Sequence, residues 1–155
     1  MTDDSLEQLI ANVVALVPRE SRGQPATQFQ LETLQDRCNV RLPSDVIAFF
    51  SVCNGFSEPT HPDNGWVEIW NLGRWATTSL AGVPLLSPEA RALIFADHCL
   101  SSWWYALDFT KISDGHVPVL FVDGANAPFE VFGDFRSFLS ALLTDDPLLY
   151  GGPAG

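Results

Sequence analysis

The apolar residues of this chain change period twice, and that order constrains the fold more than any other feature. Leu6, Leu9, Ile10, Val13, Val14 and Val17 recur at helical spacing. Two further helical stretches follow, from about Thr27 to Arg37 and within "NVRLPSDVIAFFSVCNG". The middle then breaks into short apolar runs: "GWVEIWNL" (65–72), "ARALIFAD", "WWYALDF", "VPVLFVDG" and "PFEVFG" (128–133). Ser-rich or Asp-Gly turns separate them, so they read as strands. The chain closes on "DFRSFLSALL", where Phe135, Phe138, Leu139, Leu142 and Leu143 return to three- and four-residue spacing. Helices, then consecutive strands, then a helix imply an α+β fold rather than alternating βαβ units. The expected architecture is N-terminal helices, a central, mainly antiparallel sheet of about five strands, and a C-terminal helix packed on one face. The other face, or a rim of loops, would be open to a partner.

Local signals set the expected boundaries. Asp4 or Ser5 can cap a first helix over 4–17, which Pro18 and "RESRGQPA" end. Thr27 and Gln30 fit a capping box, with Phe29, Leu34 and Cys38 near one face of the second helix. In the third, Pro43 suits a first turn, Asp45 complements the helix dipole, and Asn54-Gly55 supplies the stop. "LSPEARAL" suits a short helical turn capped by Ser87 with Pro88 following, and Asp134 caps the last helix. No repeat or long linker interrupts the 155 residues, which fit one domain with one core. Residues 146–155 have little to bury and are expected to fray.

Composition excludes several classes. No apolar run approaches the roughly 18 residues a membrane span needs. The N-terminus "MTDDSLEQLI" is acidic, unlike a signal or transit peptide, and Cys38, Cys53 and Cys99 form no disulfide framework or Cys-x-x-Cys pair. A cytoplasmic protein with reduced thiols is the expectation. Nineteen acidic residues against eight basic ones give a net charge of −11. That field repels nucleic acid and anionic membrane and attracts cations, although solubility alone also accounts for it.

The stretch "FADHCLSSWWYALDF" (95–109) gathers Asp97, His98, Cys99, Ser101 and Ser102. Its reactive residues are nearly consecutive, and along a strand neighbours point to opposite faces. Adjacent Asp97 and His98 therefore make a poor dyad. There is no Gly-x-Ser-x-Gly elbow, no His-Glu-x-x-His and no Gly-rich phosphate loop. His61, His98 and His116 fall near loops or strand ends, and no third and fourth metal ligand stands at a set spacing. No cofactor and no metal are expected. Cys99 reads first as a small apolar filler, and a hydrolase built on Cys99 or His98 is a remote alternative.

The aromatics suggest a different use. Alternation in "WWYALDF" puts Trp103, Tyr105, Leu107 and Phe109 on a core face and Trp104, Ala106 and Asp108 on the other. Tryptophans at 66, 70, 75, 103 and 104 serve either core packing or interface anchoring. Trp75 and Trp104 are the candidate anchors, with Glu58, Asp63, Asp97, Asp108 and Asp114 as rim acids; Asp97 and Asp108 could equally cap turns.

Four segments in order resemble the SUKH superfamily. "RLPSDVIAFFSVCNG" resembles its signature helix, opened by Leu-Pro and ended by Asn-Gly. "LIFADHCLSSWWYALDF" is similar to its next landmark, a strand ending in Ala-Asp, a turn, and a strand ending in Leu-Asp. "VPVLFVDG" and "FGDFRSFLSALL" match the remaining strands and closing helix, so the resemblance covers about residues 27–145. The turn "HCLSS" departs from the Gly-rich turn many members carry, and the first helix is not a family hallmark. The resemblance implies a non-enzymatic, protein-binding domain. Bacterial relatives are immunity proteins that neutralise toxins, often nucleases or deaminases; fungal relatives regulate cell-wall synthesis. The expectation is an immunity protein that binds a cationic toxin domain stoichiometrically. The alternative is an intracellular regulatory scaffold for host proteins.

Overall fold

Three N-terminal helices form where the periodicity places them, with shifted ends. The structure, a computed structural model, describes residues 2–60, 66–77, 91–98, 102–123 and 127–151. Helix α1 spans Thr2–Val14 and tightens beyond it, with Leu16 and Val17 amides donating to Val13 and Val14 carbonyls. Ser5 therefore lies inside the helix, and its hydroxyl accepts a hydrogen bond from the Arg136 guanidinium at 2.9 Å rather than capping. Helix α2 spans Gln28–Cys38 and opens on the expected capping box: the Gln30 amide donates to Thr27 Oγ1 at 3.1 Å, and the Thr27 amide to Gln30 Oε1 at 2.8 Å. Leu31 and Leu34 are its buried residues. Phe29, expected near that face, is 75% exposed, because one turn of an 11-residue helix cannot turn both Phe29 and Leu31 inward.

Helix α3 spans Ser44–Val52, with Pro43 at its N-cap. Asp45 does more than face the dipole. Its Oδ1 accepts from the Val46 amide at 2.9 Å, and its Oδ2 from the Arg136 amide at 3.0 Å, so one buried carboxylate joins two helix starts. Burial raises its pKa above the ordinary value, and the two amides oppose that shift. Helix α4 spans Phe135–Thr144, and Asp134 caps it as expected, accepting from the Ser137 amide at 2.8 Å.

The strands are β1 (Val67–Ile69), β2 (Ala76–Thr77), β3 (Ala92–His98), β4 (Trp103–Asp108), β5 (Val119–Val122) and β6 (Phe129–Phe132). All pairs are antiparallel, in the order β1-β3-β4-β5-β6, with β2 beside β1's place on the same edge of β3. The sheet is thus five strands wide, and the α+β class holds. The expected strand over 65–72 shrinks to three residues, because Asn71 caps a 3-10 turn at Leu72–Arg74. The helical turn expected at "LSPEARAL" lies outside the described residues.

The core is aromatic. Phe95 of β3 meets Phe138 at 5.0 Å and Phe135 at 5.5 Å, both on α4, and Phe49 of α3 meets Phe135 at 5.8 Å. The sheet is not open on its second face. Ile94, Ala106, Leu120 and Val122, which share that face by register, are all buried. "VLFV" in β5 is buried at every position, the signature of a strand covered on both sides. The C-terminus is also more tied down than expected: Pro147–Tyr150 forms a 3-10 turn, Leu149 is fully buried, and the Tyr105 hydroxyl donates to the Leu149 carbonyl.

Candidate protein-docking surface

Three chain segments run side by side at one edge of the fold. The Gly23 amide donates to the Gly55 carbonyl at 2.8 Å, the Ser57 amide to the Ser21 carbonyl at 2.9 Å, and the Phe56 amide to the Ile69 carbonyl at 2.8 Å. Gly55 is required there. Its φ is +82°, and a Cβ would lie 2.5 Å from the Asn71 nitrogen. A polar groove of about 450 Å³ lies over these segments, between Glu20 and Ser21 on one side and Glu68 and Arg74 on the other. Asn54 also borders a second, smaller groove of about 160 Å³, where Phe29, Leu34, Leu72 and Gly73 supply apolar lining. Asn54 is fixed between the two: its Oδ1 accepts from the Leu72 amide at 2.9 Å, and its own amide donates to the Gln24 carbonyl at 3.0 Å.

The electrostatics of this edge centre on Arg74. Glu68 and Asp97 stand directly opposite each other in β1 and β3, where like charges repel. The Arg74 guanidinium reaches Glu68 at 3.1 Å and Asp97 at 3.6 Å, and lies 4.2 Å from the centre of the Trp70 ring. Burial and then Asp97 push the Glu68 carboxyl above its ordinary pKa, while Arg74 pulls it down.

The sequence candidates for partner contact do not converge. Trp75 is 4% exposed, packed edge-on to Phe50 at 5.4 Å, and its Nε1–H donates to the Trp70 carbonyl at 3.3 Å. It is a core residue, drawn in because the Leu72–Arg74 turn folds back over the sheet edge. Trp104 is half-buried, paired across the sheet with Asp97 and Val122 on the covered face. Asp97 is buried at Arg74. Asp108 is buried too, and caps a turn by accepting from the Thr110 amide at 3.0 Å. Asp114 is exposed, at φ +51° in the two-residue loop of the Ser113–His116 hairpin. Glu58 is half-buried and accepts from the Ser21 hydroxyl at 2.8 Å, beside the polar groove. Asp63 lies outside the described residues. Asp97 and Trp104 do sit side by side, and Glu58 adjoins the groove; Asp108 and Asp114 belong elsewhere. Sequence reasoning missed Glu20, Phe29, Glu68 and Arg74. The spacing was the available signal: Phe29 stands two residues before Leu31 and five before Leu34, off the helix face those two share.

The reactive letters of "FADHCLSSWWYALDF" separate as strand geometry demands. His98 pairs with Trp103 and stacks on it at 3.8 Å, whereas Asp97 pairs with Trp104. Cys99 and Ser101 lie outside the described residues, as does His61. Among the described residues, no group of three His, Cys, Asp or Glu side chains could hold a metal ion, and no helix is long and apolar enough to cross a membrane.

An α+β scaffold with surface grooves and an exposed aromatic suits a protein-binding module. The SMI1 / KNR4 family (SUKH-1) model matches residues 25–141, and the chain belongs to that family. No curated protein matches the chain. The family is one of generally non-catalytic immunity and regulatory domains, and the matched span runs from just before α2 into α4.

Proposed function

We propose that the chain is an immunity protein of the cytoplasm that neutralises a cognate bacterial toxin by stoichiometric binding, without catalysis. The observation that carries this reading is membership of a family of immunity and regulatory domains in a chain of net charge −11. A cationic toxin domain, such as a nuclease or deaminase that must itself bind nucleic acid, is the partner such a field attracts. Long-range attraction speeds encounter, and apolar anchoring then slows release. The same features would serve a regulatory scaffold, so the test must involve toxicity. Toxin domains encoded near the chain's gene, where the locus carries them, are expressed in a host cell with and without the chain. Survival only with the chain supports the reading; equal killing sinks it.

A further inference from the structure

We infer that the outer edge of β6 receives an extended strand of the partner protein, with a lysine or arginine set against Glu130 and an apolar side chain against Phe129. This deepens the immunity reading by saying how a basic partner is held, and it rests on that reading.

The backbone fixes where such a strand can bond. β6 ends the sheet order, and β5 is its pairing strand. The Asp108 amide donates to the Pro118 carbonyl at 2.9 Å, and hydrogen-bonded pairs alternate along an antiparallel ladder. Leu120 and Val122 therefore turn their amides and carbonyls toward β4, and Val119 and Phe121 turn theirs toward β6. Phe129, opposite Phe121, bonds inward, so the N–H and C=O of Glu130 point out from the sheet. The register shift between Val119 and Leu120 lies past Glu130 and leaves this part of the ladder regular. Glu130 is exposed, and its carboxylate has no hydrogen bond or ion pair among the described residues. Outward backbone groups of this kind are met by water or by another strand.

The side chains say which strand. β4, β5, β6 and the Pro147–Tyr150 turn contain no Lys or Arg. Between Lys111 and Arg136 the chain carries Asp114, Asp123, Glu130 and Asp134, with His116 as the single basic side chain. Lys111 follows the Asp108 end of β4 and Arg136 follows the Phe132 end of β6, both at the far end from Phe129. Arg136 is also engaged with Ser5. A lysine or arginine directly opposite Glu130 thus meets a carboxylate that no internal cation holds. On the other face of the strand, Phe129 is 37% exposed and stacks on buried Phe121 at 5.3 Å. A residue next to the partner's lysine packs there, because neighbours along a strand alternate in face.

A second copy of this chain fits badly. Pro128, the next outward position, has no N–H. Self-pairing that uses both backbone groups of Glu130 therefore sets Glu130 against Glu130, like charge on like charge. The same glutamate that bars a second copy selects a basic strand.

The probe is a short synthetic peptide that alternates valine and lysine, added to the full isotope-labelled chain and followed through its backbone amide resonances by NMR. The Glu130 amide and its β6 neighbours should shift saturably. The same peptide with glutamate for lysine should bind about tenfold more weakly or worse. Methylating the backbone nitrogens of the lysines keeps the charge and removes the donors, and it should weaken binding by a similar factor of about ten. Glu130→Lys, with an unchanged melting temperature, should reverse the preference between the lysine and glutamate peptides. The inference is overturned by an absence of shifts in β6, by binding that survives backbone methylation, or by an unaltered preference in the Glu130 variant. Each of those results leaves the immunity reading standing, because protection from a toxin is read separately. A chain that protects against no toxin sinks that reading even if the peptide binds.

Discussion

Replacing Arg74 by Met tests how the acidic edge is held together. Met keeps an unbranched stem over the Trp70 ring and removes the guanidinium. Two carboxylates facing each other across β1 and β3 then lose their shared cation. A unit charge pair at about 4 Å is worth about 4 kcal/mol at an effective dielectric of about 20, before desolvation is subtracted. Arg74 is 46% exposed, so solvent screens much of that, whereas the Asp97 side chain is only 5% exposed and is screened less. The net loss should lie between the exposed and buried limits, about 1–2 kcal/mol near neutral pH. The loss should also depend on pH. Glu68 has a folded pKa above its ordinary value of 4.5, so between the two values the folded state holds more protons than the unfolded one. Its contribution is fully present below the unfolded pKa and is lost as pH rises through the folded pKa. Removing Arg74 raises the folded pKa further, which steepens this fall. The Arg74→Met deficit should therefore shrink on acidification from about pH 7.5 to about pH 5, and Glu68→Gln in the same chain should recover part of it at neutral pH. Urea unfolding followed by circular dichroism measures both. A neutral-pH deficit under about 0.3 kcal/mol, or one that does not shrink in acid, refutes the reasoning.

Three further outcomes follow from the same contacts. Asp45→Ala should cost about 1.5–3 kcal/mol, since it strips a charged acceptor from the Val46 and Arg136 amides; chemical denaturation reads it. Because the Asp45 folded pKa is raised above 3.8, its own contribution is greatest below that value and is lost as pH rises through the folded pKa, and the Ala variant should lack that component of the pH profile. Gly55→Ala should destabilise by about 2 kcal/mol or more, from a positive φ and a Cβ driven into the Asn71 backbone; a wild-type melting temperature would contradict it. Tyr105→Phe should cost about 1 kcal/mol by leaving the Leu149 carbonyl without its donor and Trp103 Nε1 without its acceptor, and proteolysis of the C-terminal turn should accelerate.

The elements are legible in the sequence where one local signal dominates. The Thr27–Gln30 box, the Asp134 cap and the Asp-Gly turn before β5 depend on neighbours a few residues apart, and each stands where expected, the turn closing a small hairpin between Ser113 and His116. The site is less legible because burial is a tertiary property. In sequence, "NLGR" leads Trp75 away from the sheet, yet a turn of three residues returns it to Phe50 and Phe95. The expectation of an open second face rests on the order of helices and strands and on Trp104, Ala106 and Asp108 sharing one half-apolar face, with Asp97 read as a rim acid. Both acids are buried because each has a fixed partner inside the fold, Asp108 the Thr110 amide and Asp97 the Arg74 guanidinium. The run "VPVLFV", apolar without alternation, already points to a strand covered on both sides.

The placement of charge links fold to function. Of the eight basic residues, Arg22, Arg74, Arg91 and Arg136 donate to groups of the chain's own structure: the Val17 carbonyl, Glu68 and Asp97, the Asn39 carbonyl, and Ser5. These arginines tie segments distant in sequence, with Arg136 and Ser5 joining α4 to α1 and Arg91 joining the start of β3 to the end of α2. Internal bonds cannot alter the net −11, but they fix these guanidiniums against their own partners. An approaching cation therefore meets a field set by nineteen acids and opposed by eight bases, four of them fixed within the fold. Such a field would set how fast a basic partner arrives more than how long it stays.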